Sequence, residues 1–185
     1  MTWPWVGLTP PYSTIVADPP WRYEQGGPRS DDRWGGGRIR TPPYSTMSDD
    51  AIGALPVREL AAADAHLWLW TTNRYLRVAF GVAEGWGFRH SQTLTWCKPP
   101  RGIGPGGAFS NTTEFVLFCR RGSLRPLDRL DTTWFAWPRG PHSVKPAAFC
   151  DIVEQVSPGP YVELFARAPR LGWDSWGYGF EDVAS

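Results

Sequence analysis

Short apolar runs alternate along this chain with stretches of helical periodicity, and this alternation constrains the fold more than any other feature. The apolar runs are rich in Val, Ile, Leu and aromatic residues and are bounded by Gly, Pro or Asn, which is typical of buried strands. They lie at residues 14–17, 66–70, 88–96, 114–119 and 161–165. Strands that alternate with helices form a sheet covered by helices, so the sequence predicts an α/β fold.

Three of the intervening stretches carry the end signals of helices. Ser48 is predicted to cap a helix whose first turn contains two aspartates, where negative charge interacts favourably with the helix dipole. Asn73 is predicted to cap a second helix that runs to about Gly85. Pro146 is predicted to open a third helix, because proline fits the first helical turn.

Composition and length limit the class of protein. The chain has 185 residues, of which 42% are hydrophobic, and it carries 12 Trp and a formal net charge of only +1. This content suits one globular domain, residues 1–185, and excludes a collagen-like, coiled-coil or disordered chain. No separate target-recognition domain fits the remaining length. A net charge near zero gives no global signal for a polyanion-binding surface.

Two segments lack any periodicity and are rich in Gly, Pro and Arg: residues 22–43 and 98–111. Loops of this length in a compact domain are usually functional or disordered. Each follows a predicted strand, where open α/β sheets place their ligand sites. We therefore predict two mobile active-site loops. The segment Trp34-Gly35-Gly36-Gly37 lacks the strand, helix and Lys-Ser/Thr context of a phosphate-binding loop.

The three cysteines, Cys97, Cys119 and Cys150, are odd in number and widely spaced. This pattern fits neither a zinc knuckle nor a disulfide framework, so we expect reduced, mostly buried thiols and no metal. The first 15 residues do not resemble a signal peptide, and no run approaches 18 apolar residues. The expected location is cytoplasmic.

The most informative segment is Asp18-Pro19-Pro20-Trp21, directly after the first predicted strand. Two prolines fix the backbone and donate no N–H, so the carbonyls of Asp18 and Pro19 can point outward. A carboxylate and fixed carbonyls can hold both hydrogens of an exocyclic amine while its lone pair faces an electrophile. Trp21 offers a flat ring on which a base can stack. The alternative is an ordinary strand-to-loop turn with the tryptophan in the core.

This tetrapeptide resembles motif IV of amino-methyltransferases that use S-adenosylmethionine (SAM). Its final Trp is similar to that of the MT-A family of N6-adenine methyltransferases, which includes the catalytic subunit of the eukaryotic mRNA methyltransferase. Further segments resemble the same family in the same order and cover nearly the whole chain. They are PYSTMSDD at 43–50, LWLW at 67–70, WCK at 96–98, NTTE at 111–114, SVKP at 143–146, VELFAR at 162–167 and WDSWG at 173–177.

The resemblance implies a Rossmann-like, SAM-dependent methyltransferase with a mixed, mostly parallel sheet flanked by helices. It implies direct in-line transfer of a methyl group to the N6 amine of adenine in nucleic acid, with S-adenosylhomocysteine as product and no metal. Asp18 and the Pro19 carbonyl would hold the amine. The implied substrate-facing residues are Tyr44, Lys98, Asn111 and Glu114. The implied cofactor residues are Asp18, Lys145, Glu163, Phe165, Arg167, Trp173 and Gly177.

The resemblance leaves the substrate open. DNA is favoured over RNA because this chain is compact, although the eukaryotic relatives act on RNA. A catalytically silent nucleic-acid-binding subunit is a second hypothesis, but such paralogues lose the Asp or the Trp of the tetrapeptide, and this chain keeps both. Methylation of cytosine or of a protein amide is disfavoured, because those enzymes more often begin the motif with Ser or Asn. Target recognition is expected to need a partner subunit or a second copy.

Overall fold

The computed structural model describes residues 5–22, 46–100, 109–138 and 145–177. The elements in these ranges are β1 (Tyr12–Ala17), α1 (Asp49–Gly53), α2 (Val57–Leu60), β2 (Ala61–Thr71), α3 (Leu76–Gly85), β3 (Arg89–Cys97), β4 (Thr113–Arg121), β5 (Trp134–Ala136), α4 (Ala147–Val156), β6 (Tyr161–Leu164) and β7 (Trp173–Trp176). Most of the two predicted active-site loops lies outside the described residues.

One sheet contains these seven strands in the order β5-β3-β4-β2-β1-β6-β7. Among the described strands, only β4 runs antiparallel to its neighbours, β2 and β3. The remaining neighbours pair in parallel. The predicted fold class, a mixed and mostly parallel sheet with flanking helices, is confirmed.

The sheet has an apolar core on each side, because successive strand residues face opposite sides. On one side, Ile15 and Leu67 pack in a core that also contains the buried residues of α1, α2 and α3. On the other side, Val16 and Trp68 pack with Phe149 and its neighbours on α4. We refer to this second side as the α4 face.

Two of the three predicted helix starts agree with the structure, and the third does not. The Ser48 side chain accepts a hydrogen bond from the Ala51 N–H at 3.2 Å and caps α1, as predicted. Pro146 occupies the position just before α4, also close to the prediction. The prediction for Asn73 was wrong, since α3 begins at Leu76 and Asn73 is exposed in the preceding turn. The position before the helix is held by the buried ring of Tyr75, so tertiary packing decides where α3 starts.

Two strands, β5 and β7, were not predicted from apolar patterning. β5 has only three residues and lies at one edge of the sheet, next to β3. β7 lies at the other edge and has polar residues at its centre. One of them, Asp174, accepts a hydrogen bond from the Tyr12 hydroxyl of β1. A strand at the edge of a sheet that contains several polar residues has a weak hydrophobic pattern in the sequence, because only one of its two faces is covered.

All three cysteines are free, with Cys119 buried and the other two half-buried. Burial raises the pKa of the Cys119 thiol to about 12 and that of Cys150 to about 11. Both therefore stay protonated at neutral pH. As far as the chain is described, none of its helices is both long enough and apolar enough to cross a membrane.

The end of β7 lies so close to the end of β6 that only glycine fits between them. A Cβ atom on Gly177 would lie 2.6 Å from the Ala166 nitrogen and 2.7 Å from the Phe165 carbonyl carbon. We expect Gly177→Ala to lower the free energy of unfolding by about 1–3 kcal/mol, the usual cost of overpacking. Urea unfolding monitored by tryptophan fluorescence measures this change.

The matched control is Gly81→Ala in α3, where nothing lies within 4 Å of the added methyl group. That variant should gain up to about 1 kcal/mol from helix propensity. Equal stability changes in the two variants would contradict a specific close approach at Gly177.

Candidate active site

Asp18 lies at the point of the sheet where neighbouring connections diverge. It is the first residue after β1, whose last residue pairs with Leu69 on β2 and with Leu164 on β6. The chain reaches β2 through helices on one side of the sheet, whereas it reaches β6 from α4 on the other side. Ligands of open α/β sheets bind at such a switch point, beyond the carboxyl ends of the strands.

Asp18 and three other charged side chains meet on the α4 face, and we call these four side chains the charged cluster. The Lys145 ammonium lies 2.8 Å from Asp18 Oδ2 and 3.3 Å from Glu114 Oε2. Glu114 also pairs with Lys98. These side chains are only 11–19% exposed, so their interactions are little screened by water. The fold thus brings four distant sequence segments together at one edge of the sheet.

The partners in this cluster keep one another ionised. Burial alone would raise the pKa of Glu114, but the ammonium groups of Lys145 and Lys98 outweigh it and hold that pKa below its ordinary value. Burial would lower the pKa of Lys145, but Asp18 and Glu114 outweigh it and raise that pKa. Glu114 and Lys145 are therefore both charged across the neutral pH range.

Two tryptophan rings form the floor beneath the ammonium groups. The Lys145 nitrogen lies 5.1 Å from the centre of the Trp70 ring, and the Lys98 nitrogen lies 4.7 Å from that of Trp96. These distances are typical of cation–π contacts. Both rings are buried in the α4-face core. The floor is rigid because Trp96 Nε1 donates a hydrogen bond to the Trp137 carbonyl at 3.0 Å.

A third carboxyl group, that of Glu163, lies on β6 beside this cluster. Burial and the nearby Asp18 carboxylate raise the pKa of Glu163 to about 7, although Lys145 and two arginines act in the opposite direction. No hydrogen bond joins this carboxyl group to any other residue that the structure describes. On β7, its register partner Ser175 has a buried hydroxyl that is likewise without a partner in the described ranges.

The backbone of the tetrapeptide is fixed by three hydrogen bonds. The Asp18 N–H donates to the Leu164 carbonyl at 3.4 Å, and the Met47 N–H donates to the Pro20 carbonyl at 2.9 Å. The Trp21 N–H donates to the Pro19 carbonyl at 2.8 Å. The sequence predicted that the Pro19 carbonyl can point outward toward a ligand. It keeps one lone pair for a ligand, because a carbonyl oxygen has two.

A family model for MT-A70 matches residues 12–179, which is nearly the whole chain. The chain belongs to the MT-A70 family.

Relatives by sequence include a type II methyltransferase and an RNA methyltransferase. The type II methyltransferase M.MunI of Mycoplasma sp is 30% identical over 92% of this chain and 78% of its own length. The N6-methyladenosine RNA methyltransferase MTA1 of Cryphonectria parasitica is 28% identical over 91% of this chain and 51% of its own length. A putative N6-adenosine-methyltransferase MT-A70-like protein of Medicago truncatula is 28% identical over 90% of this chain, which spans only 26% of that relative.

Membership in the MT-A70 family confirms the predicted family, fold class and enzyme class, an N6-adenine methyltransferase. Methyltransferases of this family use SAM as methyl donor. The α4-face site of this MT-A70 member fits that group by charge. Asp18, Glu114 and Glu163 carry three negative charges when ionised, against two positive charges on Lys98 and Lys145. SAM carries an ammonium, a sulfonium and a carboxylate, and these carboxyl and ammonium groups offer oppositely charged partners for each of them.

Hydrogen-bonding capacity also fits the family cofactor. The Glu163 carboxyl accepts no hydrogen bond from another described residue, and the buried Ser175 hydroxyl opposite it has no partner in the described ranges. Ribose hydroxyls and an ammonium group are donors that a carboxylate accepts. Sequence analysis missed Ser175, although it lies within the WDSWG segment. Its signal was weak because serine is common at strand edges.

Trp21 does not have the open ring face that sequence analysis expected in this MT-A70 member. Its side chain is only 4% exposed, and one face stacks on Tyr75 with ring centres 5.4 Å apart and planes inclined by 15°. Its Nε1 donates a hydrogen bond to the Trp70 carbonyl at 3.1 Å. In this arrangement the ring anchors the tetrapeptide to the end of β2 and belongs to the core.

Trp173 was predicted to contact the cofactor, and its register places it toward the beginning of β1. Trp173 pairs with Tyr161, which in turn pairs with Thr14 at the beginning of β1. Asp18 lies four residues further along, about 13 Å away at 3.3 Å per residue. The Trp173 ring stacks on Tyr161 and donates from Nε1 to Glu154 at 2.7 Å, so it packs at the opposite end of the sheet.

The remaining predicted site residues lie at varied places. Phe165 follows β6 with a φ of 64° and packs edge-to-face on Trp176, with ring centres 5.6 Å apart. Gly177 lies against Phe165 and has no side chain to offer a ligand. Arg167 and Asn111 are exposed. Tyr44 lies outside the described residues.

The raised pKa of Glu163 predicts an unusual dependence of stability on pH. Between the ordinary value of 4.5 and about 7, the unfolded chain has lost this proton while the folded chain keeps it. The free energy of unfolding therefore falls as pH rises through this window, by about 3 kcal/mol at most. Glu163→Gln removes the titration, so the variant should become more stable than the native chain at pH 8 and not at pH 4.

Urea unfolding at pH 4, 6 and 8 measures the difference between the variant and the native chain. Glu59→Gln, an exposed acid on α2, is the control and should change stability by less than about 0.5 kcal/mol at every pH. A constant difference between Glu163→Gln and the native chain across the three pH values would contradict a raised pKa.

Proposed function

We propose that this chain transfers a methyl group from SAM to the N6 amine of adenine in DNA. The observation that carries this proposal is the position of Asp18, held by Lys145 at the carboxyl end of β1, where α/β sheets bind their ligands. The choice of DNA is supported by similarity to the type II methyltransferase M.MunI, of which this chain spans 78%.

Asp18 is proposed to orient the substrate amine. Lys145 takes one carboxylate oxygen, Oδ2, which leaves Oδ1 to accept one hydrogen of the amine. The remaining lone pair of the Pro19 carbonyl accepts the other hydrogen. With both hydrogens held, the nitrogen lone pair points in the third direction, toward an electrophile. Fixing the reacting atoms in this way supplies most of the acceleration in a direct displacement.

Bound SAM supplies an electrophilic methyl group on a positively charged sulfur. Its sulfur–methyl bond would break as the amine nitrogen bonds to the methyl carbon, with S-adenosylhomocysteine as the leaving group, and Asp18 would accept the proton that the methylated amine gives up. We assign Glu163 and Ser175 to the hydroxyl and ammonium groups of the cofactor, with Lys145 toward its carboxylate. Phe165 and Arg167 are proposed to line the same side, and Gly177 to shape it.

The substrate strand is proposed to approach across Lys98 and Glu114. Asn111 is exposed just before β4, and Tyr44 completes the set assigned by resemblance. A duplex would present its adenine by flipping the base out of the stack. Because the described sheet and helices form no second unit for target recognition, we assign that role to a second copy or a partner subunit.

Labelled SAM incubated separately with duplex DNA, single-stranded DNA and RNA tests the function. Digestion and mass spectrometry of the nucleosides should give N6-methyldeoxyadenosine from DNA. Methyladenosine from RNA alone would overturn the choice of DNA and favour the second candidate, an RNA adenosine methyltransferase, which the similarity to MTA1 supports. SAM binding without transfer to any polymer would favour a catalytically silent nucleic-acid-binding subunit.

A further inference from the structure

A cleft of about 420 Å³ lies beside the tetrapeptide, away from the charged cluster. Its walls come from the residue after Trp21, from the start of α1 and from the turn and first residues of α3. The lining includes Arg22, Asp49, Asp50, Arg74, Tyr75 and Val78. This volume is within the range of small-molecule binding sites. Neither the tetrapeptide's chemistry nor the cofactor assignment uses these side chains.

The cleft and the amine-binding residues share a wall. Tyr75, which lines the cleft, stacks on the Trp21 ring. Arg22 is only four residues beyond Asp18, at most about 14 Å along the chain. One or two nucleotides of an extended strand cover this distance. A strand whose adenine amine reaches Asp18 can therefore place a neighbouring nucleotide in the cleft.

The charges of the lining indicate which part of a nucleotide fits. The lining contains two arginines and two aspartates, so its formal charge is zero. A phosphate would meet two carboxylates there, which disfavours an anion site. A neutral base that presents both acceptors and donors instead matches both kinds of side chain. Val78 adds an apolar wall for a ring face.

Guanine is the base whose edges match this lining. An arginine can donate two parallel hydrogen bonds to guanine O6 and N7, the commonest specific arginine–base contact. A carboxylate can accept from the adjacent N1–H and N2–H₂ groups, which adenine, cytosine and thymine lack as a pair. We propose that the cleft binds an unpaired guanine of the substrate strand, next to the target adenine. This inference rests on the proposed function.

The experiment measures methyl transfer on single-stranded oligonucleotides with one adenine, in which each of the two positions on either side carries each of the four bases. Guanine at one position should raise kcat/KM about tenfold or more over the other bases, the scale of one good base contact. Replacing that guanine by 7-deazaguanine, which lacks N7, or by hypoxanthine, which lacks the N2 amine, should remove most of the gain.

Arg74→Gln and Asp50→Asn should abolish the preference by raising KM for the guanine substrate while leaving the other substrates within about twofold. Arg77→Gln, an exposed residue of α3 outside the cleft, is the matched control and should keep the preference. Equal kcat/KM for all four bases at every position would overturn the proposal. A preference that survives in both cleft variants would also overturn it.

Failure of the proposed function would look different. If no oligonucleotide is methylated, calorimetric titration with guanosine, adenosine and cytidine still tests the cleft directly. Guanosine should bind, and Arg74→Gln should weaken its binding about tenfold or more. Equal binding of the three nucleosides, or no binding of any, would overturn the guanine site independently of methyl transfer.

Discussion

Asp18→Ala is expected to reduce kcat for methyl transfer by about 10³-fold or more. The substitution removes the acceptor that holds one hydrogen of the amine, together with the nearest acceptor for the proton released after transfer. Losing one preorganised hydrogen-bonding group in an active site typically costs 10²–10³-fold, and this carboxylate has both tasks. Incorporation of labelled methyl groups into DNA under saturating SAM measures the effect.

The fold should survive this substitution. Asp18 lies just beyond the end of β1, and in its absence Lys145 still pairs with Glu114 at 3.3 Å. We expect the free energy of unfolding to change by less than about 2 kcal/mol. Asp151→Asn, an exposed α4 acid paired with Arg170, is the control and should keep full activity. A folded Asp18→Ala protein that transfers methyl groups at the native rate would refute the proposed role of the carboxylate.

Local signals were enough to place the tetrapeptide. A buried strand that ends at Asp18-Pro19-Pro20 is set by its own residues, because proline interrupts the ladder and fixes the backbone. Its position at the switch point then follows from the alternation of strands and helices. The pairing of Asp18 with Lys145, 127 residues away, has no local signal. Only resemblance to a family brought the two residues together at the sequence level.

Aromatic side chains were the hardest to place from sequence. The ring of Trp21 can stack on a substrate or in the core, and its neighbour Tyr75 decides between them from 54 positions further along the chain. The packing of Tyr75 also places the start of α3 at Leu76, three residues beyond the predicted cap at Asn73. Trp173 lies in a family motif, and its register on β7 places it opposite Tyr161, toward the beginning of β1. Tertiary neighbours, which no local pattern encodes, decide each of these cases.

The charge balance of the site emerges only when the fold is complete. The three carboxyl groups come from the end of β1, the start of β4 and the middle of β6, and the chain as a whole is nearly neutral. Burial first, and the nearby Asp18 carboxylate second, raise the pKa of Glu163 to about 7, although Lys145 and two arginines oppose them. Because a cation bound there would favour the ionised carboxylate, the affinity for SAM should increase as pH rises through that value.

Lys145→Met is expected to lower kcat by about 100-fold and to raise KM for SAM. The variant keeps an unbranched side chain of similar length but leaves Asp18 Oδ2 without its partner at 2.8 Å, so the carboxylate is no longer held in one orientation. It should also lose about 1–3 kcal/mol of folding free energy at pH 8, because breaking a largely buried ion pair exposes like charges to each other. That loss should shrink toward pH 5, where protonation of a carboxyl group relieves the repulsion.

Lys98→Met is the matched control, since it removes the same charge from Glu114 but leaves the Asp18–Lys145 contact intact. Its kcat should stay within about tenfold of the native value, with the larger effect on KM for DNA. Equal kcat losses in the two variants would mean that net charge alone, rather than the orientation of Asp18, sets the rate.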